Sequence, residues 1–144
     1  MRIRVAAIIK MDGGYALMHR KDVKKRNLSE YYTFPGGGLE EGEELEIGVK
    51  REVEEEFGIQ VNVIKKLYEE ESVEFDQKSY YFLCEYKSGE FGTGTGPEFS
   101  NDPKYIDSGK YIPEIVKKED LENIQLVPPD IAKKFIEDVK NNKF

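Results

Sequence analysis

The chain is 144 residues long, 38% apolar, 12% aromatic and 35% charged, with 29 acidic and 22 basic residues for a formal charge of −7. That balance excludes a disordered or fibrous chain and suits one globular domain over residues 1–144 that needs no disulfide or structural metal. The acidity argues against nucleic acid and anionic membranes as partners, since Lys and Arg hold both, and Val5 to Ile9 is too short an apolar run for a membrane span or signal-peptide core, so a cytoplasmic protein is expected.

In chain order, the β-branched stretch from Arg2 to Ile9, the turn chemistry of Asp12-Gly13-Gly14 and the returning Tyr15 to Met18 predict a hairpin. Residues 21 to 30 are charged and polar and read as a loop; the sequon Asn27-Leu28-Ser29 within it is an accident of composition. Tyr31 to Phe34 is a short strand stopped by Pro35-Gly36-Gly37-Gly38. A helix is expected from about Glu43 to Phe57, with Gly58 where a helix end wants positive φ.

Val61 to Leu67 and Ser79 to Tyr86 read as two antiparallel strands, the second carrying the lone Cys84 as a core residue. Residues 88 to 104, rich in Gly and Pro, read as a long loop and a candidate lid in which Phe91 can close over a substrate. They are not a phosphate-binding P-loop, because Thr95 stands where Lys is needed. Tyr111 to Val116 is a further strand, followed by a helical turn near Glu119 to Ile124. After Pro128-Pro129, Ile131, Phe135 and Val139 form the apolar stripe of a last helix. No repeat or linker divides the chain, and an α/β fold follows.

The chemistry concentrates on the first helix. Glu52, Glu55 and Glu56 stand at i, i+3 and i+4, within about 100° of one another around the helix, beside the apolar stripe Val49, Val53 and Phe57. Carboxylates crowded at a core edge repel unless a cation neutralises them, and an all-oxygen set suits Mg²⁺ or Mn²⁺. A solvated acidic face is the plain alternative for those three residues taken alone.

From Gly37 to Ile59 the sequence resembles the signature of the Nudix hydrolases, G-x5-E-x7-R-E-U-x-E-E-x-G-U, with every defined position matched: Gly37, Glu43, Arg51, Glu52, Val53, Glu55, Glu56, Gly58 and Ile59. Phe34-Pro35-Gly36-Gly37 resembles the approach to that box, and Tyr111 to Val116 resembles a Y-x-P-E-W-V segment with Ile115 in place of Trp. Gly48 departs from the Ala common at its helix position and should cost about 1 kcal/mol in helix propensity.

The resemblance implies an α/β/α sandwich with a mixed sheet, and a MutT-like, Mg²⁺- or Mn²⁺-dependent pyrophosphatase. Such an enzyme hydrolyses the diphosphate linkage of a nucleoside diphosphate joined to another moiety. It implies metal binding by Gly37, Glu52, Glu55 and Glu56, a structural pair in Glu43 and Arg51, and Glu52 as first candidate for the general base, with Glu98 and Glu114 as candidates for an additional base or ligand. Arg20 is the best cation for substrate contact in the basic stretch Arg20 to Arg26, and Tyr80, Phe82 and Phe91 are aromatic candidates for the substrate.

His19, the single histidine, excludes a zinc site of several His and Cys ligands and is expected at the surface. Selectivity for ADP-ribose or for dinucleoside polyphosphates is marked in some members by a Pro or a Tyr after the box. Here Glu74-Phe75-Asp76 stands near the Pro position, and Tyr80 and Tyr81 come late for the Tyr. Both absences favour a modified nucleoside triphosphate as substrate, over nucleotide sugars, dinucleoside polyphosphates or a module that binds a nucleotide without turnover. A monomer and a homodimer are equally compatible with the sequence.

Overall fold

The computed structural model describes residues 1–22, 30–96 and 109–144. Strands β1 (Arg2–Met11) and β2 (Gly14–Lys21) form the expected hairpin, turning through Asp12 and Gly13 at φ 50° and 78°. Strand β3 (Glu30–Thr33) follows, and the glycine run that reads as a stop is itself a strand, β4 (Gly36–Gly38), laid antiparallel on β1 with Val5 opposite Gly37. Side-chain propensity misses it because the pairing uses backbone alone, and a β-carbon on Gly36 would strike Ala6.

Helix α1 (Leu45–Phe57) begins slightly later than the sequence suggests, at an N-cap, Glu44, that makes no side-chain capping bond. It ends at Gly58, whose φ of 74° lets its N–H reach the Glu54 carbonyl. Strands β5 (Ile59–Ser72) and β6 (Gln77–Gly89) are antiparallel, as expected, and run longer at both ends than their apolar segments. Strand β7 (Lys110–Lys117), a 3₁₀ turn (Lys118–Asn123), the two-residue β8 (Leu126–Val127) and α2 (Pro129–Lys140) complete the described chain. Among the described residues no helix is long and apolar enough to cross a membrane.

The sheet is mixed and it splits. β1 and β2 are paired only beside their turn, at Lys10–Tyr15 and Met11–Gly14. Beyond that point β1 joins β6 in parallel and β4 in antiparallel, while β2 joins β3 and β7. Two flanks therefore diverge from one hairpin, β5-β6-β1-β4 and β7-β2-β3-β8.

Each face of the sheet is covered by a helix. Val53 and Phe57 of α1 pack on Val5, Ala7, Ile9 and Met18; Ile131 and Phe135 of α2 share a core with Ile8, Leu17, Phe34 and Tyr81. Alternating residues of β1 and β6 thus enter opposite cores, including Cys84, whose thiol burial pushes up to about 12.

The end of α1 is strapped by residues 90–96. Gly92 and Thr93 donate backbone N–H groups to the Phe57 carbonyl at 2.9 and 3.3 Å, Gly96 donates to that of Glu55 at 2.8 Å, and the Phe91 ring rests on Phe57 at 4.9 Å between centroids. A β-carbon on Gly58 would need the left-handed backbone region and collide with Thr93. Gly58→Ala is therefore expected to destabilise the protein by at least about 1 kcal/mol, and Phe135→Ala, from the other core, by about 3–5 kcal/mol; urea unfolding midpoints check both.

Candidate active site

Arg51 organises the site. One edge of its guanidinium holds Glu43 bidentately, Nε to Oε2 at 2.8 Å and the second amino nitrogen to Oε1 at 2.9 Å. The same amino nitrogen donates to the Gly38 carbonyl at 3.1 Å, and the other donates to Glu52 Oε1 at 3.0 Å and Glu55 Oε2 at 3.2 Å. The loop before α1, its middle and its last turn are thereby tied to one cation. The hydrogen bond from Arg51 holds the Glu43 carboxyl below the usual carboxylate range against the opposing effect of burial, and the same bond raises the guanidinium further above its ordinary value.

Two glycines let the pieces meet. A β-carbon on Gly37 would lie 2.6 Å from Glu52 Oε1, so only glycine leaves room for this carboxylate against the β4 backbone. At Gly48 a β-carbon would lie 2.6 Å from Leu39 Cδ1 and 3.0 Å from Glu43 Oε1. The helix-propensity cost noted for Gly48 is thus offset by close approach of α1 to the loop that carries Glu43.

Glu56 accepts the Gly36 N–H at 2.9 Å on Oε2. With Glu52 and Glu55 drawn to Arg51 and Glu56 to Gly36, no three acidic, His or Cys side chains converge on one point among the described residues. The donors are nonetheless all carboxylate and carbonyl oxygen on one helix face and the adjoining strand, the chemistry that hard divalent cations take.

A groove of about 330 Å³ opens where the two flanks of the sheet part. Glu52 and Glu56 stand on its wall with Gly36 and Gly37, and Arg2, Arg4 and Arg20 share it. Arg20 lies flat on Tyr111, its guanidinium carbon 3.7 Å from the ring centroid, and donates from Nε to the Lys110 carbonyl at 3.4 Å. A depression of about 400 Å³ between the 3₁₀ turn and α2, lined by Glu122, Lys133 and Lys140, lies away from these carboxylates.

The chain matches the NUDIX domain over residues 1–141. It belongs to the Nudix family. It is similar to an 8-oxo-dGTP diphosphatase of Haemophilus influenzae, 31% identical over 120 residues that make up 80% of this chain and 87% of that protein. In fold it is similar to the MutT protein of Methanosarcina mazei, with a TM-score of 0.66 at 21% identity over 99% of this chain and 96% of that one. An ADP-ribose pyrophosphatase of Streptococcus suis superposes with a TM-score of 0.61 at 17% identity, over 88% of this chain and 79% of that one. The protein is therefore a MutT-like Nudix hydrolase acting on phosphoric anhydrides, on the mixed, curled sheet between helices that the family shares.

Several residues read from the sequence as site candidates lie elsewhere in this Nudix fold. Glu114 is on the face of β7 opposite Tyr111, because strand residues three apart point to opposite sides. It meets His19, its Oε2 3.1 Å from Nδ1, and is not among the residues that line the groove. His19 itself is 6% exposed, not a surface residue: it stacks on Tyr32 at 4.1 Å and sets Nε2 2.5 Å from Glu30 Oε1. Burial, then Glu114, raises the Tyr32 phenol well above its usual value.

Phe82 is buried in the core beneath α1, and Tyr80 sits between the ammonium groups of Lys66 and Lys78, 5.5 and 5.3 Å from its ring. Phe91 is spent on Phe57, so within residues 90–96 the candidate lid is a brace for α1. None of these three aromatics lines the groove. Glu98, Lys24, Lys25, Arg26, the sequon and the rest of the candidate lid lie outside the described residues. Arg2, Arg4 and Tyr111 are among the groove residues that sequence reading missed; the polar–apolar alternation at the start of β1 was the available signal for the first two.

The Glu43–Arg51 pair carries a pH signature. Because the folded Glu43 carboxyl titrates below its unfolded value, its stabilisation is complete above the ordinary carboxylate pKa of about 4.3 and is lost as pH falls through the lower folded value. The stability difference between wild type and Glu43→Gln, from urea melts at stepped pH, is expected to be constant near neutrality and to shrink only in that acid window.

Proposed function

We propose that this Nudix hydrolase cleaves a nucleoside triphosphate, and most readily a modified one, into the monophosphate and pyrophosphate, with Mg²⁺ as its ion and Mn²⁺ as a substitute. The observation that carries the reading is the shared groove: Glu52 and Glu56 on one wall, Arg2, Arg4 and Arg20 beside them. A polyanion bridging cation-loaded carboxylates and guanidinium groups satisfies both. The 8-oxo-dGTP diphosphatase relative supports a triphosphate as that polyanion.

Glu52, Glu55, Glu56 and the Gly37 carbonyl are the groups that would hold the metal. When bound, a divalent ion screens phosphate charge and lowers the pKa of a coordinated water. The protein's own work is positional. Arg51 keeps Glu52 and Glu55 at fixed places on the helix, and Gly37 leaves Glu52 room against β4. Glu52, on the wall of the groove, is the base that takes the proton from the attacking water. Arg20, held by Tyr111, offers its guanidinium to the phosphate chain. Residues 1–144 act as one domain, in the cytoplasm, as a monomer or homodimer, on a small nucleotide rather than on a large nucleic acid or a membrane.

Product analysis over nucleoside triphosphates, including 8-oxo-dGTP, ADP-ribose, nucleotide sugars and diadenosine polyphosphates, with Mg²⁺ and with Mn²⁺, tests this. Pyrophosphate and a monophosphate from the triphosphates are expected; two monophosphates from ADP-ribose as the main activity would overturn the substrate assignment. Glu55→Gln and Glu56→Gln should each lower kcat by at least about 100-fold with little change in urea midpoint, since a positioned metal supplies several kcal/mol. Full activity in both would refute the metal assignment.

A further inference from the structure

Arg4 faces a different part of the groove from the carboxylates. Its neighbour Val5 enters the core beneath α1, against Gly48, so Arg4 projects from the opposite face of β1. The residue after Val5 shows the same alternation: Ala6 packs into the core that holds Phe34 and Tyr81. On that side Phe34 lines the groove with Arg4, and the Arg4 charge is felt at the Tyr81 hydroxyl.

One donor of that cation lacks a partner among the described residues: Arg4 is half-buried and its buried Nε has no acceptor there, whereas Arg51 is ringed by carboxylates and Arg20 is held by Tyr111 and the Lys110 carbonyl. Withdrawing a charged N–H donor from water without a partner is costly, and a ligand that brings acceptors recovers the loss. A forked donor beside the nearly buried Phe34 fits a ring carrying acceptors on its rim.

We propose that Arg4 is a specificity-determining residue whose guanidinium binds the edge of the substrate's nucleobase. It favours a base with two adjacent acceptors, as guanine unoxidised at C8 has in O6 and N7, over one with an amino group in that place. This rests on the nucleotide reading above, with the phosphates towards Glu52 and Glu56 and the base towards Phe34 and Arg4.

The test compares kcat/KM for dGTP and dATP in wild type, Arg4→Met and Arg4→Lys, together with calorimetric binding of dGMP and dAMP, which needs no turnover. Wild type should prefer guanine. In Arg4→Met that preference should fall by about 10-fold or more, through KM, and the dGMP affinity should fall towards that for dAMP. Arg4→Lys keeps the charge and the long stem but not the fork, so it should keep the fold and still fail to restore the preference.

A wild type indifferent to the base, or a preference unchanged in both variants, overturns the proposal. So does an equal loss for both triphosphates, which would make Arg4 a phosphate contact. Arg4-dependent binding of dGMP over dAMP by a protein that hydrolyses no triphosphate would uphold the base contact and refute the hydrolytic reading alone.

Discussion

Everything at the catalytic end of this molecule depends on one planar cation. Three glutamates on one helix face and a fourth in the loop before it repel one another, and such a helix face would ordinarily open to water. Arg51 converts the repulsion into order by distributing its donors over Glu43, Glu52, Glu55 and the Gly38 carbonyl. A lysine carries the same charge but lacks the fork that can grip Glu43 with one edge while steering Glu52 and Glu55 with the other. The arrangement also needs bare backbone at Gly37 and Gly48, so the glycines and the arginine form one device.

The parts of this architecture visible in the sequence are those written in side-chain pattern. The β1–β2 hairpin, α1 with its glycine end, the β5–β6 pair and α2 follow from alternation, a 3.6-residue stripe and turn chemistry. What was hidden is written in backbone or in distant neighbours. β4 is three glycines with no propensity for a strand, and β8 is two residues that pair with β3 only because the chain returns there. The box glutamates were legible because they are close in sequence. Arg20 was legible as a cation following a strand, but Arg2 and Arg4 were not, since only the divided sheet brings β1 into the same groove. His19 misled because its environment is supplied by Glu30 and Glu114, far away along the chain.

The divided sheet separates two kinds of work. The β5-β6-β1-β4 flank and α1 carry the glutamates and the glycines, while β7-β2-β3-β8 contributes Arg20, Tyr31 and Tyr111 from its own surface. On the reverse of that second flank, the buried His19 stacked on Tyr32 clamps β2, β3 and β7 together. The box carboxylates and the Arg20–Tyr111 wall of the groove therefore rest on different packing.

The strap over the end of α1 gives the glutamates an uneven anchorage. Glu52 sits mid-helix above a dense core, but Glu55 and Glu56 occupy the final turn, where Gly96 holds the very carbonyl of Glu55. Helix ends fray first, and here fraying is resisted by a few loop hydrogen bonds and the Phe57–Phe91 contact. Local opening of residues 90–96 thus unwinds the turn bearing two of the acidic groups while the rest of the fold stays closed. Amide protons in that last turn should therefore exchange by local opening rather than by global unfolding.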